Sequence, residues 1–192
     1  MHKLRWLCLP PLALLLAACA LSPQALTIEP QLPTPAASVP GGHPIVLDVV
    51  DARKSNVVGT RGGIYSETAT ISTHGDITSG IRASLLGPLD RAGLPVQPPG
   101  AGGTPRLTVQ IARIHYVAMG APAVRSVRIG ITVRASCRNG SRGYDGHYEV
   151  DDTTDVLTPP GPAANEKMVN ASLSKALSQM LSDDKLLACL RS

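Results

Sequence analysis

Histidine and cysteine are the residue types in this chain that could bind a metal or act as base and nucleophile. The five histidines and four cysteines are scattered rather than grouped a few residues apart, as zinc ligands are. The chain has no Gly-x-Ser-x-Gly motif. Its glycine-rich stretch 58–63 lacks the Lys-Ser/Thr ending of a phosphate-binding loop. We therefore expect no catalytic residue, no metal site and no cofactor.

More distinctive chemistry lies in the cysteine that ends the N-terminal apolar segment. A short basic stretch over 2–5 precedes an apolar run over 6–17. A membrane-spanning helix needs roughly 20 apolar residues, so this run is typical of a secretory signal. It closes on the sequence Leu16-Ala17-Ala18-Cys19, which resembles the lipobox of bacterial lipoproteins.

The lipobox resemblance implies a processing site and a lipid anchor. Cleavage falls between Ala18 and Cys19, the Cys19 thiol carries a lipid, and the new amine is acylated. We therefore predict a signal peptide over 1–18 and attachment of the mature chain to a membrane through Cys19. The residue after Cys19 is Ala20 rather than Asp. In lipoproteins of enteric-type bacteria an Asp there resembles a signal for retention in the inner membrane, so its absence points to the outer membrane. The predicted location is the outer membrane, facing the periplasm.

Residues 19–44 are rich in proline and show little helix or strand periodicity. We predict that they form a semi-rigid tether that holds the domain several nanometres from the membrane. The alternative is that Leu26–Glu29 docks onto the sheet as an edge strand. Residues 45–192 are predicted to form a single periplasmic domain.

Beyond residue 44 the hydrophobic pattern alternates between strands and helices. Strands over 45–72 precede a helix that Asp76 caps and Gly93 ends. Three alternating strands follow, with a bulge near Ala112-Arg113, and then an apolar-striped helix and a last short turn. This order predicts an α+β domain with an antiparallel-rich sheet of four to five strands and two helices packed on one face.

The last two strands predict a hairpin with one apolar and one polar face. Asn139-Gly140 is typical of a two-residue turn, which would set Arg134 opposite Asp145 and Ile131 opposite Tyr148. The polar face is the predicted partner surface, made of Arg128, Thr132, Arg134, Asp145 and His147.

Cys137 and Cys189 are the two cysteines that follow the predicted anchor. An exported protein meets an oxidising compartment, where a disulfide would close a loop of about 50 residues. The other interpretation is two buried free thiols, because cysteine is among the most buried residue types. Both interpretations are open from the sequence.

Composition argues against two classes of partner. The formal net charge is +4, and aromatic residues make up 3% of the chain, with no phenylalanine. Nucleic acids are bound by strongly basic surfaces and by aromatic faces on which bases stack. We therefore expect no nucleic-acid binding, and a sugar-stacking cleft lacks its aromatic platform as well.

A series of short motifs runs through the chain: the lipobox, Thr27-Ile28-Glu29 before prolines, Val50-Asp51-Ala52-Arg53 at a strand end, Val58-Gly59-Thr60-Arg61, and Ala92-Gly93-Leu94 closing a helix. Their order is similar to that of the YajG family of bacterial outer-membrane lipoproteins. The resemblance spans nearly the whole chain. It implies a lipoprotein without an assigned reaction, so no catalytic residue carries over.

These features favour a membrane-anchored, non-enzymatic binding or accessory module of the cell envelope, with an envelope protein as partner. The alternative is an envelope hydrolase acting on the cell wall or on lipid. A hydrolase requires a cleft in which titratable groups converge. His115 or His147 beside a serine or carboxylate in a deep cleft would favour that alternative.

Overall fold

The computed structural model describes residues 22–33, 43–62, 68–100, 103–120 and 124–191. The predicted signal peptide, with Ala18 and Cys19, lies outside the described residues. The described chain forms the following elements: β1 (Gln24–Leu26), β2 (Val46–Asp51), β3 (Val57–Thr60), β4 (Thr70–Thr73), α1 (Ile77–Arg91), β5 (Arg106–Met119), β6 (Ser126–Asn139), β7 (Arg142–Asp155), α2 (Pro162–Leu181) and α3 (Asp184–Arg191).

The seven strands of the described ranges belong to one mixed sheet. Its order is β1-β4-β3-β5-β6-β7, and β2 pairs with the first half of β5 on the side where β3 pairs with the second half. The long strands β5, β6 and β7 are antiparallel to one another. β1 with β4, β2 with β5 and β3 with β5 are parallel pairs.

The predicted antiparallel-rich sheet of four to five strands with two helices is wrong, because the described residues form a seven-stranded mixed sheet and three helices. Strands were predicted where β3 and β4 lie, but β1, β3 and β4 have only three or four residues each, too few to show how they join the sheet. Parallel pairing joins strands that are distant in sequence, such as β2 and β5. The expected last short turn is a helix of eight residues, α3.

Several local predictions are confirmed. The Asp76 carboxylate accepts a hydrogen bond from the Thr78 amide at 2.9 Å and caps α1. Gly93 follows the end of α1 with a φ of 73°, a conformation that favours glycine. The register between β5 and β6 shifts between Ile111 and Arg113, as the predicted bulge requires.

The hairpin of β6 and β7 turns one residue later than predicted. Asn139 pairs with Arg142, so Gly140 and Ser141 form the turn. Gly140 has a φ of 57°, and within the described ranges only glycines have a positive φ. Glycine in the first central position is the pattern of a type II′ turn. The glycine, rather than the Asn-Gly pair, therefore determines the turn.

The later turn changes which residues face each other across the hairpin. Arg134 lies opposite His147 rather than Asp145, and Ile131 lies opposite Val150 rather than Tyr148. The predicted register is therefore wrong by two residues. Because side chains alternate with a period of two, this shift leaves every side chain on its predicted face.

One hydrophobic core lies between the sheet and the helices. Every second side chain of β6, from Val127 to Cys137, is buried in it. All three helices contribute buried residues to the same cluster, among them Leu85 of α1, Leu173 of α2 and Leu190 of α3. The helices therefore cover one face of the sheet.

The first described residues belong to this folded unit. Leu26 and Ile28 are buried, and β1 pairs with β4. On the other side of the segment, the Asn170 side-chain amide donates to the Thr27 carbonyl and accepts from the Glu29 amide, both at 2.9 Å. This part of the stretch over 19–44 is therefore docked on the domain, with its strand at Gln24–Leu26 rather than at the predicted Leu26–Glu29.

The β6–β7 turn and the α3 helix beneath it form the hairpin end of the molecule. A disulfide joins Cys137 of β6 to Cys189 of α3. The Tyr144 and Tyr148 hydroxyls both donate to Oδ2 of Asp183, at 2.8 and 2.7 Å. Burial acts to raise the pKa of Asp183, but these two donors and two backbone amides outweigh it and hold the pKa below its usual value.

Candidate functional site

The candidate site is the face of β5, β6 and β7 that points away from the helices, which we call the open face. Polar side chains occupy most of its positions, between the buried residues of each strand. The strand registers align them in rows across the sheet. The open face comprises Arg106, Thr108, Gln110, Arg113, His115, Arg128, Thr132, Arg134, Ser136, Arg138, Asp145, His147, Glu149 and Asp151.

All five residues of the predicted partner surface lie on the open face. Thr132 is only 5% exposed, because larger side chains surround it. The other four are exposed: Arg128, Arg134, Asp145 and His147. Arg134 and His147 are directly opposite each other, whereas Arg128 lies near the far end of the strands.

Exposed ion pairs occupy much of the open face and its margin. Four pairs lie there, and each of their eight side chains is at least 39% exposed. Ion pairs in water contribute little to stability, so these charges are available to a partner. The pairs are Arg138–Asp145 at 3.0 Å, Arg128–Asp151 at 3.3 Å, His147–Glu149 at 2.9 Å, and Arg106–Asp48.

Arg134 is a cation of the open face that has no acidic partner among the described residues. Asp145, its predicted partner, pairs with Arg138 because of the two-residue shift in register. The Arg134 side chain lines a shallow groove of about 410 Å³ together with Gln110, Ser136 and His147. A planar guanidinium without a carboxylate partner can bind a carboxylate or phosphate through two hydrogen bonds.

His147 and Glu149 form the contact on this face that most resembles catalytic geometry. Nε2 of His147 lies 2.9 Å from Oε1 of Glu149, and the Thr132 hydroxyl donates to the same oxygen at 3.4 Å. The contact with His147 lowers the pKa of Glu149. The His147 and Glu149 side chains are 50% and 60% exposed, so water reaches both. The pair therefore lies on exposed surface and not in the deep cleft that the hydrolase alternative requires.

Two further observations concern metal-ligating side chains and apolar helices in the described ranges. These ranges hold no group of three or more His, Cys, Asp or Glu side chains that could bind a metal ion. Their helices also include none that is both long and apolar enough to cross a membrane.

Three arginines of the open face were not part of the predicted partner surface: Arg106, Arg113 and Arg138. Arg113 follows the β5 bulge, and its guanidinium lies 3.0 Å from the place where a Cβ on Gly130 would stand. Arg138 pairs with Asp145 only in the shifted register. The apolar alternation of β5 changes phase after Ala112, and this signal could have placed Arg113 on the open face. The register of Arg138 depends on a turn type that the sequence did not reveal.

Comparisons with solved structures include three likenesses with TM-scores below 0.5. A crystal structure of an uncharacterized protein is 14% identical, with a TM-score of 0.49, covering 83% of this chain and 100% of the other. Protein XCC0632 from Xanthomonas campestris, of family DUF330, is 14% identical, with a TM-score of 0.49, covering 86% and 95%. Lipoprotein GNA1162 from Neisseria meningitidis is 11% identical, with a TM-score of 0.39, covering 73% and 99%. No functional inference rests on these scores.

Sequence comparison is more informative at the level of the family. No curated protein matches the chain significantly. The family model described as "Uncharacterized lipoprotein" matches residues 30–191, which include the sheet from β2 onward and all three helices. The chain therefore belongs to this family of uncharacterized lipoproteins, Lipoprotein_16.

Proposed function

We propose that this chain is a lipid-anchored protein of the outer membrane, YajG-like, whose open face binds a partner in the periplasm without catalysing a reaction. Its family supports the general class of lipoprotein. The sequence Leu16-Ala17-Ala18-Cys19 supports the position of the anchor. Each buried methylene contributes about 0.8 kcal/mol, so two or three acyl chains on Cys19 hold the protein at the bilayer.

The observation that carries the binding role is the combination of Arg134 with the groove beside it. β6 and β7 expose polar side chains over 14 residues each, and the helices pack on the other face. On this face Arg134 has no acidic partner among the described residues, while its neighbour Arg138 is paired with Asp145. We infer that the partner presents a carboxylate or phosphate to Arg134, with Gln110 and His147 as further hydrogen-bonding groups.

Cell fractionation tests the anchor. Wild-type protein should be recovered with the outer-membrane fraction, and the Cys19→Ser variant should not, because a hydroxyl cannot carry the thioether-linked lipid. The Cys8→Ser variant serves as the matched control, since Cys8 lies within the predicted signal peptide. Membrane recovery of the Cys19→Ser variant at the wild-type level would refute anchoring through Cys19.

Site-specific photo-crosslinking in cells tests the partner face. A photoreactive residue at position 110, in the groove, should yield a discrete crosslinked product that is lost when Arg134→Ala is added. The same residue at position 86 is the control, because Leu86 is 42% exposed on α1 on the helical side of the sheet. Equal products from both positions, or persistence of the product in the Arg134→Ala variant, would argue against the open face as the binding site.

A further inference from the structure

The distance between the proposed anchor and the folded domain is short. This inference rests on the lipid anchor proposed above. β1 begins at Gln24, which follows Cys19 by five positions in the sequence. A fully extended chain spans at most about 3.3–3.6 Å per residue, so Cys19 lies within roughly 18 Å of the first strand. The domain therefore lies next to the bilayer rather than several nanometres away from it.

Residues 24–29, the start of the folded domain, are held firmly in place. They therefore do not detach easily to lengthen the connection to Cys19. Leu26 is fully buried, and the Thr27 amide donates to the Glu166 carboxylate at 2.8 Å. Gly80 of α1 allows close approach of the segment, because a Cβ there would lie 2.3 Å from the Ile28 carbonyl oxygen. Detaching the segment would expose apolar side chains and break its hydrogen bonds to α2.

The start of β1 lies beside the loop that follows β7. The Asn165 side-chain amide donates to Oε1 of Gln24 at 2.7 Å and to the Pro160 carbonyl at 3.3 Å. The Val156 amide, at the start of the same loop, donates to the Arg125 carbonyl at 2.8 Å. We call the start of β1, Arg125 and the loop 156–161 the anchor end of the molecule.

The anchor end presents an apolar side chain directly to its surroundings. Leu157 is 104% exposed, whereas the other exposed large hydrophobic side chains of the described ranges are 41–46% exposed. A fully exposed leucine is unfavourable in water and favourable at the boundary between lipid headgroups and acyl chains. Arg125 is also exposed at this end and can contact a lipid phosphate.

We propose that the anchor end docks on the phospholipid surface, with Leu157 inserted into the bilayer interface and Arg125 at the headgroups. The short connection from Cys19 brings this end to the membrane, and Leu157 provides a second, non-covalent contact. The hairpin end lies at the opposite end of β7 and therefore points away from the bilayer. The 14 residues of β7 span at most about 48 Å at 3.4 Å per residue. This orientation leaves the open face accessible from the periplasm along its length.

A single tryptophan placed at the anchor end reports the docking. The only tryptophan of the chain is Trp6, inside the predicted signal peptide, so the lipidated mature protein of the Leu157→Trp variant has one tryptophan. This variant is reconstituted into phosphatidylethanolamine–phosphatidylglycerol vesicles, with and without chains brominated near the headgroup. The Leu86→Trp variant is the matched control, because Leu86 is exposed on α1. The end of α1 lies at the hairpin end, where the Arg191 guanidinium of α3 donates to the Ala92 carbonyl at 3.0 Å.

We expect brominated lipid to quench the Leu157→Trp variant at least about twofold and to leave the Leu86→Trp variant unchanged, because interfacial groups lie about 5–10 Å deep. An unquenched Leu157→Trp protein that floats with the vesicles would overturn the docking and leave the lipid anchor standing. Equal quenching of both variants would overturn the proposed orientation. Protein that carries no lipid and fails to float would overturn the anchor, and the docking with it.

Discussion

The two ends of the sheet are stabilised in different ways. At the hairpin end, the disulfide Cys137–Cys189 joins β6 to α3, and the Tyr144 and Tyr148 hydroxyls of β7 donate to Asp183, the residue before α3. The anchor end has a buried polar cluster instead, in which Asn165 links α2 to β1. The hairpin end is cross-linked covalently, whereas the anchor end depends on packing and on buried hydrogen bonds.

This difference fits the environments proposed for the two ends. The hairpin end would extend into an oxidising periplasm without support from a membrane, where a covalent cross-link limits its opening. The anchor end would rest on lipid, and there the molecule leaves Leu157 uncovered. Under this proposal the covalent cross-link and the membrane contact lie at opposite ends of the same strands.

The strongest test of the hairpin end removes the disulfide. Cys137 and Cys189 are 52 positions apart, so the double variant Cys137→Ala/Cys189→Ala should lose about 4 kcal/mol of unfolding free energy. Urea unfolding monitored by circular dichroism measures this loss. Wild-type protein with reductant serves as the control and should be destabilised to a similar extent. An unchanged urea midpoint would break the contrast between the two ends.

The corresponding test at the anchor end is the Asn165→Leu variant. Asn165 is fully buried, accepts from the Tyr116 hydroxyl at 2.7 Å and donates to Gln24 at 2.7 Å. Leucine leaves both partners buried without a hydrogen bond, which should cost about 3 kcal/mol. The Tyr116→Phe variant, which removes one hydroxyl, should lose less. Wild-type stability of the Asn165→Leu variant would show that the cluster does not hold this end.

A smaller effect is expected from the Gly146→Ala variant. A Cβ at Gly146 would lie 2.2 Å from the Tyr148 hydroxyl and would displace it from Asp183, at a cost of about 2 kcal/mol. Gly143→Ala is the matched control on the same strand, where the nearest atom is 3.4 Å away, at the flexible end of Arg138. Equal urea midpoints for the two variants would contradict this account of Tyr148.

The Asp183 cluster predicts how stability depends on pH. The pKa of Asp183 is lowered in the folded protein, so its contribution is present above its unfolded pKa, about 4, and is lost as pH falls through the folded pKa. Burial, followed by the Asp183 hydrogen bond, raises the pKa of Tyr148, so stability falls at alkaline pH above about 10. Urea midpoints across pH should show both limits.

A matched pair of variants separates the cluster from other titrating groups. The Tyr144→Phe/Tyr148→Phe double variant should lose about 1 kcal/mol per hydroxyl at neutral pH and show a weaker loss in acid. The Asp51→Asn variant is the control, since Asp51 has a pKa lowered by its hydrogen bond to Arg53, outside this cluster. Identical acid profiles for wild type and the double variant would contradict the assignment.

The smallest effect on stability is expected on the open face. The Arg134→Ala variant should change the unfolding free energy by less than about 0.5 kcal/mol, because Arg134 is exposed and has no acidic partner in the described ranges. The Arg142→Ala variant, also exposed on the hairpin, is the control. A large loss of stability in the Arg134→Ala variant alone would show that Arg134 has a structural role instead.

Sequence patterns predicted the parts of the fold that depend on local rules. The α1 cap at Asp76 and its end at Gly93 each follow from residue type at one position, and the β5 bulge follows from a change of phase in the apolar alternation. Alternation in β6 and β7 separated the core from the open face. The number of strands in the sheet and its parallel pairs were not predicted, because pairing depends on distant contacts and leaves little pattern in the sequence.

The candidate site shows where such reasoning ends. Periodicity placed Arg134, Asp145 and His147 on one face, but it could not choose between registers that differ by two residues. The observed register gives Asp145 to Arg138 and leaves Arg134 without an acidic partner among the described residues. The property that most favours binding therefore depends on the conformation of Gly140, which only the structure reveals.

The lipid at Cys19 is the central claim, because both the location of the protein and the docking of the anchor end depend on it. Mass spectrometry of the N-terminal peptide from membrane-extracted protein tests it most directly. We predict a peptide that begins at Cys19 and carries a diacylglyceryl group on the thiol and an acyl group on the amine. A peptide with an unmodified Cys19, or a mature chain that begins at another residue, would contradict the account.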